Sequence, residues 1–246
     1  MSDLLASLLR RLGKTPAPPD RVYAGPAPVS DALDVESGPF DKPLRDALAA
    51  VDEVHRDGRL PTIPIRRRAV DRRMHGCFRH VLGGPPLDLS VHPAARHAAM
   101  TAVHEVGHFL DYSGLGASGG FCSVAGDLLS PWRAATRGSD AVQRLGQLWR
   151  FTAGKAQEPQ AAGDVVRYEV ENRYIEYLLQ NEELWARSYA QFIAVRSAHP
   201  DLLEQLGRLR DRPERRLYYG SQWEDDDFLP ILTEIEAVFQ RIDWMQ

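Results

Sequence analysis

Residues 98–113 read AAMTAVHEVGHFLDYS, and this stretch decides the fold. It lies in the strongest helical pattern of the chain, which spans about 93–112. His104 and His108 are four residues apart on that helix, so both imidazoles project from one face. With Glu105 after the first histidine the pattern is HExxH, which brings two neutral nitrogen donors to one ion; zinc prefers such tetrahedral N/O/S sites. Glu105 is rotated by one residue, so it stands beside the ion without ligating it and can take a proton from a metal-activated water. With 8 histidines and 14 glutamates among 246 residues, chance would supply this pattern only about 0.015 times.

Upstream of this helix the period changes. Leu87, Leu89 and Val91 alternate with polar neighbours, so 86–91 is a short strand feeding the helix; 60–66 and about 74–81 read as two more. A helix over about 43–57 opens on Pro43 and closes near Gly58. Before it, Pro16, Pro18, Pro19, Pro26 and Pro28 make 13–30 a stiff extended linker. Leu4, Leu5, Leu8, Leu9 and Leu12 give 3–12 the pattern of a short amphipathic helix docked on the body. The chain therefore divides into 1–40, an N-terminal helix and linker, and 41–246, one folded domain.

Downstream, 113–138 is rich in Gly and Ser and reads as a long surface loop. Helices follow at about 139–152, 165–180, 182–197, 201–209 and 226–242. Asp225, Asp226 and Asp227 fall where the last begins, complementing its positive end rather than forming a calcium loop. A small early sheet, a motif helix and a mainly helical second half make an α+β protein.

Two histidines leave a catalytic zinc one protein ligand short. A histidine six residues beyond His108 is excluded, because position 114 is Gly. Glu169, Glu171, Glu176, Glu182 and Glu183 are the acidic candidates on later helices. Glu183 alone has Ala186 and Ala190 along its face, small enough to let its helix approach Gly107 closely. Gly107 itself costs roughly 1 kcal/mol relative to alanine inside a helix, and a neighbouring backbone is the reason expected for it. Trp185, Tyr189, Phe192 and Ile193 form the adjoining apolar stripe, and Arg187 is placed to orient Glu183 or Asp111. Asp111 either accepts a proton-bearing histidine nitrogen or caps the helix near Gly114.

Composition narrows the function. The chain is 43% hydrophobic and 26% charged, with a net charge of −4 and a pI near 6.1. No apolar run approaches the roughly 18–20 residues of a bilayer crossing, and the charge balance argues against a nucleic-acid-coating protein. The leucines near the N-terminus are interrupted by Arg10 and Arg11, unlike an export signal, which predicts a cytoplasmic protein with no membrane partner; export as an effector is the alternative. Cys77 and Cys122 are too few for a disulfide scaffold and read as buried thiols. Arg66, Arg67, Arg68, Arg72, Arg73 and Arg79 face one acid, Asp71, within 66–79; this is a solvated strand face or an attractor of acidic peptide or nucleic acid. His75, His80, His92 and His97 read as surface or core groups, with His92 or His97 placed to line a cleft.

HEVGHFLD (104–111), followed by NEELWARSYAQF (181–192) with Glu183 lying 75 residues after His108, resembles the compact gluzincin peptidases of phage-derived polyvalent proteins. It is similar, more distantly, to the protease domain of anthrax lethal factor. The resemblance covers roughly 74–113 and 174–242. It implies a zincin-like fold, Zn2+ as cofactor, and a third ligand at Glu183, which leads the later helix. It also implies that an edge strand, here MHGCFRHVL (74–82), holds an extended peptide antiparallel to itself. The tyrosine that those proteases place seven residues before the third ligand is Glu176 here. Tyr174 and Tyr177 flank that position, and each is read first as a core aromatic. The expectation is a zinc-dependent endopeptidase acting on a protein or peptide, with His104, His108 and Glu183 on the metal and Glu105 as general base. The alternative is a zinc-stabilised binding or regulatory module without catalysis.

Overall fold

The period-two segments pair into an open mixed sheet of four strands in the order β1-β2-β4-β3. This is seen in a computed structural model that describes residues 27–38, 41–56, 60–69, 74–115, 119–157, 172–210 and 222–245. β1 (Leu33–Val35), β2 (Ile63–Arg67) and β4 (Pro86–Val91) are parallel, while β3 (Gly76–His80) runs antiparallel to β4 and forms one edge. Ile63, Ile65, Leu89 and Val91 turn to one face, where α1 (Asp41–Val54) and α2 (Ala98–Phe109) bury them. The expected strands and the helix after Pro43 are therefore present. The expected 3–12 helix and the linker up to residue 26 lie outside the described residues. Val29, Ala32, Leu33 and Val35, grouped by sequence with the N-terminal segment, are buried in the same core as α1. β1 itself was not anticipated, because three residues are too few to show a period.

After Phe109 the motif helix widens into a π-helical turn, Leu110–Gly114. The surface loop expected over 113–138 is corrected. In its place stand a single α-helical turn (Cys122–Ala125), a 3-10 turn (Asp127–Leu129) and α3 (Ser130–Gly138). Pro131 suits the first turn of α3, and Trp132 and Thr136, one turn apart, are both buried. The Trp132 indole N–H donates to Ser188 Oγ at 3.1 Å, so this segment is pinned to the core.

α4 (Asp140–Gln157), a helical stretch at 172–178, α5 (Asn181–Ser197), α6 (Pro200–Arg210) and α7 (Asp225–Arg241) complete the described chain. The part of the expected 165–180 helix before residue 172 is outside the described residues. α2 and α5 pack along one another more extensively than any other pair of elements. Asp227 does more than complement its own helix. Its carboxylate accepts the Asp140 and Ala141 backbone N–H groups at 2.7 and 2.9 Å, satisfying donors at the start of α4.

Candidate metal centre

The α2–α5 crossing is set by glycine. A Cβ on Gly107 would lie 3.0 Å from Ala186 Cα and 2.9 Å from Tyr189 Cδ1, so any larger residue would push the helices apart. The Trp185 indole N–H donates to the Gly107 carbonyl at 3.0 Å across the same seam. Glu183 precedes Ala186 by one turn, and the crossing therefore delivers its carboxylate to the histidine face of α2.

Three donors meet there. His104 Nε2 and His108 Nε2 are 3.2 Å apart, Glu183 Oε1 is 3.3 Å from His108 Nε2, and Glu183 Oε2 is 3.5 Å from His104 Nε2. An ion with tetrahedral bonds of about 2.0–2.1 Å separates its ligands by roughly 3.3–3.4 Å. The triangle fits zinc in both spacing and donor chemistry. It is also the group of His, Cys, Asp and Glu side chains, among the described residues, that could hold a metal. Burial pushes the Glu183 carboxyl up, but hydrogen bonds and charge from both imidazoles outweigh this and hold it well below the ordinary carboxylate range.

Glu105 is buried against the sheet edge. A Cβ on Gly76 would collide with its carboxylate, so β3 approaches this closely only because residue 76 is glycine. Burial pushes the Glu105 carboxyl up to about 7; the Glu183 charge adds to this, while His108 and the Phe78 backbone N–H oppose it. Sequence reasoning missed Gly76 and Phe78, since the signal was one glycine at the start of a strand pattern.

Other expected residues fall differently. Asp111 is fully buried, and its carboxylate accepts Ser123 N–H at 2.7 Å and Ser123 Oγ–H at 2.5 Å. It thus anchors the turn at 122–125 in place of either role anticipated for it. The His108 Nδ1 is buried with no hydrogen-bond partner among the described residues. Burial raises the Asp111 carboxyl to about 7 despite the Ser123 bonds. Arg187 is buried, and its Nε donates to the Glu183 carbonyl at 3.3 Å while another guanidinium nitrogen bonds the Leu178 carbonyl. It ties the first turn of α5 to the end of the 172–178 helix.

Tyr174 and Tyr177 are not core aromatics; each is more than a third exposed, and their rings stack with centroids 6.4 Å apart. Burial of the phenol, the Glu183 charge and a hydrogen bond to the Glu183 carboxylate all push the Tyr177 hydroxyl well up. Tyr177 therefore belongs to the site. Phe121 lies 6.2 Å from the His108 ring and packs with Phe78, His80 and Tyr112 into an aromatic wall beside it. The Tyr112 hydroxyl sits 2.9 and 2.8 Å from the Val81 and Gly84 carbonyl oxygens, securing the β3–β4 turn. His92 Nδ1 accepts the Ala94 N–H, and His97 precedes α2; neither joins the metal group. Cys122 is buried as expected, whereas Cys77 is only half-buried.

Among the described residues no helix is long and apolar enough to cross a membrane. Comparison with protein-family models, with curated proteins and with solved structures returned no match.

Proposed function

We propose that this chain is a zinc-dependent endopeptidase of minimal gluzincin type with a zincin-like fold. The observation that carries the reading is the convergence of His104, His108 and Glu183 within ligand spacing beside a buried glutamate that none of them displaces. The sequence resemblance around HEVGHFLD and NEELWARSYAQF supports the same class.

His104, His108 and Glu183 would hold zinc, whose Lewis acidity would lower the pKa of a water so that it can give up a proton and attack a carbonyl near neutral pH. Glu105 accepts the proton of the attacking water as the new C–O bond forms. It then delivers that proton to the amide nitrogen as the C–N bond breaks. A carboxyl raised by burial toward neutrality suits both halves of this transfer, and the Phe78 N–H limits where the carboxylate can point. Tyr177, already hydrogen-bonded to Glu183, offers a phenol donor toward negative charge developing on the substrate oxygen. Among the described residues β3 has no strand on its outer side, so an extended peptide can pair there through the backbone groups that Glu105 does not already hold.

The test is Glu105→Gln. The variant is expected to bind zinc with wild-type stoichiometry by elemental analysis and to lose peptide cleavage by at least about a thousandfold. Cleavage at the wild-type rate by the zinc-loaded variant overturns the general-base role. Absence of turnover in zinc-replete wild-type protein across a broad peptide library favours the non-catalytic module instead.

A further inference from the structure

The arginine-rich stretch 66–79 plays no part in the chemistry above, yet most of its described members share one surface. Gly76 faces Glu105 and the Phe78 ring lies 6.0 Å from Phe109, so these residues of β3 turn toward α2. Strand alternation then places Cys77 and Arg79 on the opposite face of the sheet, together with Asp88 and Ser90 of β4 and Arg66 of β2. Arg79 Nε donates to Asp88 Oδ1 at 2.8 Å, and a second nitrogen bonds Oδ2. Arg68 folds over the same face, donating to Ser90 Oγ at 3.0 Å and to Asp88 at 3.2 Å.

The exposures are unequal. The Asp88 side chain is 4% exposed, against 42% for Arg79 and 36% for Arg68. Arg66 is exposed, and its charge also acts on the Asp88 carboxylate. Solvent therefore meets three guanidinium groups above a carboxylate already committed beneath them. Two further acids follow this face on the β1 side: Asp34, at the far edge of the sheet, and exposed Glu36, whose N–H bonds the Ile65 carbonyl at 3.2 Å next to Arg66. The charge at Arg66 is thus partly offset, while Arg68 and Arg79 stand farther from both acids.

The edge strand gives this surface a register. The His92 N–H bonds the His75 carbonyl at 2.7 Å, so His75, Cys77 and Arg79 direct their backbone groups to β4, while Gly76 and Phe78 direct theirs outward. A peptide pairing antiparallel at Gly76 and at the Phe78 carbonyl sets one residue opposite Arg79 in a non-hydrogen-bonded pair. There the Cα atoms are about 4.5 Å apart and both side chains share the basic face. Because β3 runs from Gly76 to His80, that residue lies N-terminal to the bond presented at Glu105.

We propose that the substrate is an acidic peptide, with Asp or Glu at the position that pairs with Arg79, N-terminal to the cleaved bond, and with Arg68 and Arg66 reinforcing the selection. This rests on the peptidase reading and adds its substrate class. Nucleic acid is the weaker match, because this face carries no exposed Phe, Tyr or Trp among the described residues and only the His75 imidazole as a ring on which a base could stack.

The experiment uses zinc-loaded full-length protein and pairs of dodecapeptides that differ only by Glu or Gln, with the substitution walked through each position. One N-terminal-side position is expected to favour Glu by about five- to tenfold in kcat/KM at low salt, with the preference shrinking at high salt. Arg79→Gln should bring that ratio to about one, and Arg79→Glu should invert it toward a Lys peptide. Arg66→Gln should lower it by a smaller factor. Fluorescence anisotropy of the same labelled peptides on zinc-loaded Glu105→Gln protein should give the same order without turnover. If that order holds while no peptide is cleaved, the peptidase reading fails and the acidic-peptide surface stands. A wild-type ratio near one at every position, or a preference untouched by Arg79→Gln, overturns the proposal. Tighter binding of a labelled single-stranded oligonucleotide than of the acidic peptide also overturns it.

Discussion

His55 gives a quantitative prediction about acid stability. It is fully buried where α1 ends, tilted against Phe239 and parallel to Trp244, with Nε2 2.8 Å from the Tyr189 hydroxyl. Burial lowers its pKa from 6.5 to about 4. Between those values the unfolded chain binds the proton and the folded chain does not, so stability rises with pH through that window. The His55 contribution is fully present above about pH 6.5 and is lost as the pH falls toward 4. Each unit is worth about 1.4 kcal/mol, giving about 2 kcal/mol lost at pH 5 and about 3 kcal/mol in full. His55→Gln keeps a hydrogen-bonding partner for Tyr189 and removes the titration. Urea unfolding of both proteins between pH 7.5 and 4.5, with chelator present, is expected to show the wild-type advantage shrinking by about 2 kcal/mol from pH 7.5 to pH 5. Other titrating groups are common to both proteins and cancel in the difference. A wild-type-minus-variant difference that stays flat over this range would refute the assignment of a buried neutral imidazole.

Glu183→Ala leaves two histidine donors, and zinc affinity measured against a competing chelator should fall by more than about a hundredfold. The same variant should lose most of the thermal stabilisation that zinc gives the wild type, about 2.7 kcal/mol at a hundredfold excess of zinc over Kd. Unchanged affinity would place the third donor elsewhere. Gly107→Ala puts a methyl group within 3.0 Å of Ala186 and Tyr189. Overpacking of about 1–3 kcal/mol should outweigh the roughly 1 kcal/mol gain in helix propensity, lowering stability and zinc affinity together. A variant more stable than wild type would mean that the two helices can part at that point without cost.

What the sequence revealed and what it concealed divide by range of interaction. The α2 helix, its two histidines and the approach of a small-residue helix at Gly107 follow from local spacing, and Ala186 is the residue that meets Gly107. Glu183 could be chosen from five acids because it alone has alanines, Ala186 and Ala190, along its own helix face. The role of Asp111 was misjudged because its partner, Ser123, lies in a segment that composition marks as loop. That segment is held by Trp132, whose burial depends on Ser188 and Trp185, more than fifty residues away. Tyr177 was obscured for a related reason. Whether an aromatic residue faces the core or a neighbouring carboxylate depends on where two helices meet, and neither helix states this by itself.

The two glutamates nearest the imidazoles illustrate how environment assigns chemistry. Glu183 and Glu105 are almost equally buried, at 6% and 5% exposure, so desolvation alone would treat them alike. Hydrogen bonds and charge from both rings drive the Glu183 carboxyl down, which keeps it an anion. Glu105 receives one backbone N–H and feels the Glu183 charge beside it, and its carboxyl rises to about 7. Exchange of their roles is prevented by geometry. Gly76 leaves room for a carboxylate on the sheet side of α2, and Gly107 lets α5 approach closely enough at Ala186 to bring Glu183 to the other side. Two carboxyl groups of the same type, pushed apart in proton affinity, can then serve as metal ligand and proton carrier respectively. That division depends on two residues with little or no side chain, so either site is more sensitive to an added methyl group than to most changes in charge on the surface.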